Sequence, residues 1–296
     1  MPDRATLVAF VSFVILGGVN FVAVRFSNRE LDPMFGAGFR FAVAALLLTA
    51  VFTMRRQELP RGRALTGVLL YGMLSFGGAY AFAYYALSYL PAGIGSVIFA
   101  SMPLFVVILA HFHSLEQFRM RALIGAVVTL GGIAILSNPF AEASVPLLPL
   151  LAMLASAVIA AEGTVVVKMF PPVKPLVANA VGMAAGAALL LILSLALGEN
   201  WQLPAIPATQ LAVGYLVVAS AVMFALFIFV IQRWTAGSAA YMAAVLPLTA
   251  VIAGAIMLGE PITLTMVLGG LVVLAGVYIG ALAPTRVVEP AAPVIG

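Results

Sequence analysis

Cysteine is absent from this chain, and charged residues are scarce. Without cysteine there is no disulfide and no thiolate chemistry, and two histidines alone do not provide a set of metal ligands. Only 8% of the residues are charged and 64% are hydrophobic, which excludes a soluble domain. A phosphate-binding G-x-x-x-x-G-K-[ST] motif is also missing, so an ATP-driven pump is excluded. We therefore expect neither a cofactor nor a metal.

Long apolar runs fill almost the whole chain. A helix needs about 20 mostly apolar residues to cross the hydrocarbon core of a bilayer. The sequence contains ten such runs, at 7–26, 33–54, 65–87, 92–112, 121–138, 145–167, 174–197, 208–231, 237–258 and 264–283. They do not alternate apolar and polar residues as the strands of a membrane barrel do. The predicted fold class is therefore an all-α membrane protein with ten transmembrane helices.

One stretch of the chain occurs twice. A shift of 144 residues aligns 92–135 with 236–279 without a gap, and 13 of the 44 positions are identical. The identical pairs include Gly93/Gly237, Pro103/Pro247, Glu116/Glu260, Gly125/Gly269 and Gly132/Gly276. Such duplication is typical of transporter folds. It predicts two five-helix repeats, at 1–144 and 145–284, followed by a disordered tail at 285–296.

Basic residues predict how the helices are oriented. If the N-terminus is cytoplasmic, eleven of the fourteen Lys and Arg residues flank the cytoplasmic ends: Arg4, Arg55, Arg56, Arg61, Arg63, Arg119, Arg121, Lys168, Lys174, Arg233 and Arg286. By the positive-inside rule, both termini then face the cytoplasm. Membrane topology accounts for the pI near 9.6, so we expect no nucleic-acid partner. Because five helices precede the second repeat, the two repeats enter the membrane from opposite sides and form an inverted 5+5 repeat.

Four motifs carry a resemblance to a known family. GGVNFVAVRF at 17–26 and DPMFGAGFRFAVAAL at 32–46 resemble the opening of the drug/metabolite transporter superfamily. YALSYLPAGIGSVIFASMPLF at 85–105 resembles its fourth helix, and LGEPITLTMVLGGLVVLAG at 258–276 resembles its closing helix pair. The match is of the EamA type and is similar to bacterial exporters of aromatic amino acids and related metabolites. One departure is Gly17, where the family often has tryptophan.

The resemblance implies a secondary transporter in the bacterial inner membrane that exports amino acids by alternating access. The expected substrates are aromatic and other apolar amino acids or related small metabolites, and the expected assembly is a monomer in the lipid bilayer. The alternative is an exporter or facilitator of other amphiphilic metabolites or drugs without proton coupling. The family match also implies that helices 3, 4, 8 and 9 line the cavity, which adds Phe99, Phe224 and Tyr241 to the candidate site.

Two duplicated prolines lie about midway along their helices. Pro103 and Pro247 each remove one backbone hydrogen bond and tend to kink a helix. They are candidate hinges, or they expose a carbonyl to the cavity. The alternative is a static kink that serves packing, which membrane helices tolerate.

Only two charged residues lie well inside apolar runs. Glu162 could bind a substrate ammonium group or exchange a proton, or it could reach lipid headgroups or Lys168. Arg40 could pair with Glu162 or with a substrate carboxylate, or form a structural ion pair. Glu116 and Glu260 lie in turns between helices, where an acidic side chain caps the start of the next helix.

Aromatic residues on helix 3 give a further indication of substrate. Phe76, Tyr80 and Tyr84 share one face at i, i+4 spacing, and Tyr80 carries a hydroxyl that needs a partner. Packing alone would explain the row equally well. Ser96 on helix 4 is a further candidate for substrate binding, and it also belongs to a group of small residues that permits close helix contact.

An intramembrane hydrolase is the competing function class. The GIGSV segment around Ser96 is not a G-x-S-x-G motif, and neither histidine lies deep in a run. The sequence therefore predicts that the chain is not an enzyme. The GxxxG pairs Gly182/Gly186 and Gly276/Gly280 are expected to serve packing within the chain.

Overall fold

In the computed structural model, the described residues are 4–115, 120–137, 146–231 and 236–282. Apart from helices, they form only turns and irregular segments. The helices are α1 (Arg4–Ser27), α2 (Pro33–Met54), α3 (Arg63–Leu87), α4 (Ala92–Phe112), α5 (Met120–Ser137), α6 (Leu147–Met169), α7 (Pro175–Leu197), α8 (Pro207–Ile231), α9 (Ala236–Leu258) and α10 (Leu264–Val277). A π-helical turn, Tyr278–Leu282, continues α10, and another, Met73–Gly78, lies inside α3.

Local residue chemistry explains several helix ends. Proline begins α2, α7 and α8, where a missing N–H and a fixed φ cost the helix nothing. Gly198 ends α7 with φ +70°, a left-handed conformation that glycine adopts without steric penalty. The Thr263 hydroxyl accepts a hydrogen bond of 3.1 Å from the N–H of Met266 and so caps the start of α10.

Six helices are long and apolar enough to cross a membrane: α1, α2, α3, α4, α6 and α7. The described apolar parts of α5, α8, α9 and α10 are shorter. Each predicted apolar run overlaps one helix, and their ends differ by a few residues. For α1, for example, the predicted run starts at residue 7 and the helix begins at Arg4. The described part of the chain is thus all-helical and has the apolar spans of a membrane protein, as predicted, while the inverted repeat of ten helices stays a prediction.

Helices far apart in sequence form the main contacts. α2 packs along α7, and α5 packs along α10. α1 packs against α8 and α9, while α6 packs against α3 and α4. The main core is built from buried residues of nearly every helix, with the side chains of Phe41, Phe76 and Tyr84 among the largest that are fully enclosed.

Glycines permit the closest of these contacts. A Cβ added at Gly132 of α5 would lie 2.7 Å from the backbone nitrogen of Val273 in α10. Gly276 and Gly280 face Gly125 of α5 in the same way. Gly182 and Gly186 of α7 face the π-helical turn of α3 and the residues around it. Both GxxxG pairs therefore serve packing within the chain, as expected.

Loops 28–32, 88–91, 198–206 and 259–263 meet at one end of the bundle, which we call the acidic face. The Glu199 carboxylate accepts hydrogen bonds of 3.0 and 2.8 Å from the first N–H groups of α2, at Met34 and Phe35. Asp32 in turn accepts a 2.8 Å hydrogen bond from the N–H of Asn200. The opposite end, with loops 55–62 and 170–174, carries mainly basic residues and is called the basic face.

Glu30 ties the same loops together on the acidic face. Its carboxylate accepts hydrogen bonds from the N–H groups of Ala205 and Ile206, just before α8. Desolvation raises the pKa of Glu30, but hydrogen bonds from Thr209, Ile206 and Ala205 outweigh it, so this pKa lies below its ordinary value.

Candidate functional site

Arg40 is a buried charge in the second turn of α2. Its side chain is among the largest that the fold encloses completely, with 1% of the residue exposed. Nε donates a 2.7 Å hydrogen bond to Oγ of Ser220 in α8, and one Nη donates a 3.3 Å hydrogen bond to the hydroxyl of Tyr84 in α3. A charge at such a position is costly, and in membrane proteins it usually marks a functional site.

The predicted aromatic row of α3 lies directly against this arginine. Phe41 of α2 contacts the rings of Phe76 and Tyr80, with centroid distances of 5.3 and 4.6 Å. The Tyr80 ring also lies 6.3 Å from that of Tyr84. The Arg40 guanidinium lies 4.8 Å from the Phe41 centroid and 5.1 Å from the Tyr80 centroid, within the range of cation–π contacts.

Tyr80 differs from Tyr84 in its exposure and hydrogen bonding. Tyr84 is fully buried, and its hydroxyl is the acceptor for Arg40. Tyr80 is only partly buried, and its hydroxyl makes no hydrogen bond to any described residue. Of the two tyrosines, Tyr80 is therefore the one with a hydroxyl still available to a ligand.

Two further predicted residues lie on α4, and one of them extends the aromatic surface. The Phe99 ring packs edge-on against Phe21 of α1 at a centroid distance of 6.0 Å, and both rings are partly exposed. Ser96 is buried, and its hydroxyl donates a 2.7 Å hydrogen bond to the carbonyl of Gly93 in the same helix. The side chains of Phe224 and Tyr241 lie outside the described residues.

The two prolines occupy different local structures. α4 consists of two pieces, Ala92–Phe99 and Met102–Phe112, and Pro103 is the second residue of the second piece. Pro247 lies inside α9, which continues through it as one helix. The equivalent positions therefore differ in backbone conformation, and the hinge role of both stays a prediction.

Sequence reasoning missed Asn20, a buried polar residue of α1. Its Nδ2 donates a weak hydrogen bond to the sulfur of Met223 in α8, at 3.9 Å. Its Oδ1 is buried and has no hydrogen-bond partner among the described residues. The available signal was an amide side chain inside an apolar run, in GGVNFVAV. Ser220 and Tyr215 were also missed; Tyr215 donates a 2.6 Å hydrogen bond from its hydroxyl to the carbonyl of Leu16.

Glu162 pairs with a histidine, not with Arg40 or Lys168. Its Oε1 lies 2.7 Å from Nε2 of His113, the residue that follows the last turn of α4. Both side chains are partly exposed, and Glu162 Oε2 is buried with no partner in the described ranges of the chain. The pair joins α4 to α6 in the basic-face half of the bundle.

Glu260 caps a helix start, but not the one that follows it in sequence. Both of its carboxylate oxygens accept hydrogen bonds from the N–H of Ala92, the first residue of α4, at 3.1 and 3.0 Å. Oε1 also lies 2.7 Å from Nη1 of Arg25 at the end of α1. This contact joins α1, α4 and the α9–α10 loop on the acidic face. Glu116 lies outside the described residues.

A groove of about 620 Å³ opens between α1 and α8 near the basic face. It is lined by Arg4, Ala5, Val8, Ala9, Ser12, Ala225 and Leu226. Among the predicted site residues whose side chains the structure describes, none lines this groove. Over the described part of the chain, no group of three or more His, Asp or Glu residues could hold a metal ion.

Comparison with known proteins agrees with this architecture. The model of the EamA-like transporter family matches the chain twice, at residues 4–138 and 147–281. An uncharacterized transporter from Archaeoglobus fulgidus is 24% identical over 278 residues, covering 90% of this chain and 95% of the relative. The uncharacterized inner membrane transporter YedA from Escherichia coli is 28% identical over 258 residues, covering 86% of this chain and 83% of the relative.

Two other similar proteins are informative. A probable amino-acid metabolite efflux pump from Salmonella typhimurium is 25% identical over 279 residues, covering 90% of this chain and 91% of the relative. One solved crystal structure superposes with a TM-score of 0.65 at 20% identity, over 96% of this chain and 100% of its own. At that identity, the likeness supports the fold alone.

Proposed function

Since the chain belongs to the EamA-like transporter family, we propose that it exports amino acids or related small metabolites by alternating access. The expected substrates are aromatic and other apolar amino acids. The observation that carries the proposal is a set of partly exposed aromatic rings, Phe21, Tyr80 and Phe99, inside a bundle that also buries Arg40. Apolar walls with a few placed polar groups are typical of small-molecule sites. The similar efflux pump from Salmonella typhimurium supports the substrate class.

The proposed architecture is an inverted repeat of five helices each. The separate family matches at 4–138 and 147–281 support two related halves. If α1 corresponds to α6, α2 to α7, and so on to α5 and α10, the contacts of α1 with α8 and α9 correspond to those of α6 with α3 and α4. The α2–α7 and α5–α10 contacts then lie on the pseudo-two-fold axis. Such symmetry lets the two halves exchange conformations during transport.

In the proposed orientation the basic face is cytoplasmic and the acidic face is external. The charge difference between the faces supports it through the positive-inside rule. The Arg25–Glu260 ion pair, with the Ala92 N–H on the same carboxylate, then closes the external end in this conformation. Opening toward the outside requires this contact to separate.

Proton coupling is assigned to the Glu162–His113 pair. An acid and a base that share a 2.7 Å contact between two helices can take up or release a proton when the helices move apart. The alternative is a facilitator or exporter of amphiphilic compounds that works without this coupling.

Transport into and out of liposomes tests the proposal. Purified protein is offered radiolabelled Phe, Trp, Tyr, Leu, Ala, Asp and Glu, with and without a pH gradient. We expect transport of the apolar amino acids and poor transport of Asp and Glu. Tyr80→Ala should reduce transport of Phe, Trp and Tyr roughly 2- to 10-fold more than that of Ala, because one aromatic contact is lost.

Tyr89→Ala is the matched control, since Tyr89 is 57% exposed at the end of α3. It should leave the substrate preference unchanged. An equal loss for all substrates in Tyr80→Ala would assign Tyr80 to packing. Absence of transport for every amino acid would disprove the proposed function.

A further inference from the structure

We propose that Arg40 and Asn20 form a subsite for the zwitterionic backbone of an α-amino acid, with the guanidinium on the carboxylate and Asn20 Oδ1 on the ammonium group. The inference rests on the proposed function, because it names the part of the substrate that the site recognises. It starts from two buried polar side chains that both have unused hydrogen-bonding capacity.

Arg40 has hydrogen-bond donors that no described residue accepts. A guanidinium carries five N–H donors. Two of them are used, one toward Ser220 Oγ and one toward the Tyr84 hydroxyl. The remaining three make no hydrogen bond to any described residue. Both partners are neutral hydroxyl groups, so the positive charge itself has no described counter-ion, although only 1% of the residue is exposed.

The described carboxylates that could neutralise Arg40 are engaged elsewhere. Glu162 bonds to His113, and Glu260 bonds to Arg25 and to the Ala92 N–H. The three loop acids of the acidic face hold backbone N–H groups: Glu30, Asp32 and Glu199. An anion from outside the described chain is therefore the natural partner of the guanidinium. A carboxylate, which accepts two parallel hydrogen bonds from arginine, fits its free edge.

Asn20 supplies the complementary acceptor. The residue is 8% exposed, and Oδ1 is buried without a partner in the described part of the chain, a state that costs free energy unless a donor binds. Asn20 Nδ2 donates a hydrogen bond to Met223, and Arg40 Nε donates one to Ser220, which lies three positions before Met223 on α8. Residues three apart on a helix are neighbours on its surface, with Cβ atoms about 5–6 Å apart.

The two residues of α8 that accept hydrogen bonds from Arg40 and Asn20 are thus about one helical turn apart. In an α-amino acid the ammonium nitrogen and the carboxylate carbon are bonded to the same carbon atom. The subsite requires one such molecule to reach the guanidinium and Asn20 Oδ1 at once. The partly exposed rings of Phe21 on α1 and Tyr80 on α3 remain for the substrate side chain.

This arrangement predicts strict recognition of the amino-acid backbone and loose recognition of the side chain. Two buried polar groups left unpaired penalise any analogue that lacks the matching charge, whereas apolar rings discriminate weakly between side chains. Free phenylalanine should therefore bind at least about tenfold more tightly than phenylalaninamide, which lacks the carboxylate, or 3-phenylpropanoate, which lacks the ammonium group.

Thermal unfolding of the detergent-purified protein measures these affinities without any need for transport. For the wild type we expect midpoint stabilisation by phenylalanine at concentrations at which the two analogues give none. If phenylalaninamide and phenylalanine stabilise equally, the carboxylate assignment is wrong. If 3-phenylpropanoate matches phenylalanine, the role of Asn20 is wrong.

Variants assign each preference to its residue. Arg40→Gln should abolish the preference for phenylalanine over its amide, and Asn20→Leu should abolish the preference over 3-phenylpropanoate. Two control variants should keep both preferences. Arg29→Gln removes an exposed charge on the acidic face, and Asn179→Leu removes a buried amide that accepts a hydrogen bond from Tyr71. An unchanged preference in Arg40→Gln overturns the subsite. If that variant does not fold, the wild-type comparison and Asn20→Leu decide.

The liposome experiment separates this inference from the proposed function. If phenylalanine binds selectively but no amino acid is transported, the subsite stands and the export function fails. If phenylalanine and phenylalaninamide are both transported at the same rate, the export function stands and the subsite fails.

Discussion

At the scale of single residues, the partly exposed charges of the protein differ from its fully buried one in the partners that they have. Glu162 meets His113, and Arg25 meets Glu260, so each of these charges has an ionisable partner. Arg40, by contrast, contacts hydroxyl groups and aromatic rings and has no ionisable acid partner among the described residues. Desolvation of an ion is costly, so a fixed partner offsets part of that cost within the fold, while a missing partner leaves the cost to be offset by a ligand.

The Glu162–His113 pair gives the residue-scale prediction. Glu162→Gln removes the ionisable oxygen that contacts Nε2 of His113 and so removes one proton carrier. If the pair couples transport to protons, the variant should exchange substrate across the membrane yet lose the accumulation driven by a pH gradient. His113→Gln should behave in the same way, because both partners act as one unit.

Lys168→Gln is the control, since Lys168 lies on the same helix and does not contact Glu162. The measurement is uptake into liposomes with and without an imposed pH gradient. Gradient dependence retained in Glu162→Gln contradicts the proton-carrier role. A wild type without gradient dependence supports the uncoupled alternative instead.

At the scale of helices, small residues determine which pairs can approach. α5 and α10 meet through Gly125, Gly132 and Gly276, where an added Cβ would collide with backbone atoms of the facing helix. Backbone atoms cannot move aside as a flexible side chain can. The absence of a side chain on these glycines therefore fixes the spacing of this pair, which van der Waals contact then stabilises.

Two adjacent glycines of α5 provide a matched test. Gly132→Ala places a Cβ 2.7 Å from the Val273 nitrogen and should lower the free energy of unfolding by about 1–3 kcal/mol through overpacking. Gly131→Ala meets no atom within 4 Å, so it should be neutral or raise that free energy by up to about 1 kcal/mol. Thermal unfolding in detergent compares the two. Equal effects at both positions would contradict the packing of α5 on α10.

At the scale of the whole molecule, the two faces of the bundle differ in chemistry. On the acidic face, carboxylates hold the N–H groups at the starts of α2 and α4, where the helix dipole favours negative charge. On the basic face, Arg and Lys residues border the helix ends. In the proposed orientation the difference agrees with the positive-inside rule, by which positive charge is retained on the cytoplasmic side.

Labelling of introduced cysteines tests this orientation in a chain that has none of its own. Asn200 on the acidic face and Glu58 on the basic face are both exposed, so Asn200→Cys and Glu58→Cys form a matched pair. In intact cells an impermeant thiol reagent should label Asn200→Cys, and should label Glu58→Cys only after permeabilisation. The reverse pattern would invert the assigned topology. Asn28 is less suitable, because its amide donates to the Tyr84 carbonyl and to Ser88.

The sequence by itself determined the helical segments, their apolar character and the aromatic row of α3. These features are local: the length of an apolar run and the i, i+4 spacing of side chains do not depend on distant residues. The glycine pairs were predictable for the same reason, since a glycine motif within one helix already provides a flat surface for packing.

Only the tertiary structure decided which polar groups meet. Arg40 and Ser220 form a hydrogen bond although they are 180 positions apart. Glu162 contacts His113, and not Arg40 or Lys168. Glu260 caps α4 and not the helix that follows it in sequence. Asn20 was recognised as a candidate only because the structure shows its contact with Met223 on α8. Hydrogen bonds and ion pairs require atoms within about 3 Å, and for residues far apart in sequence that distance is set by how the helices pack.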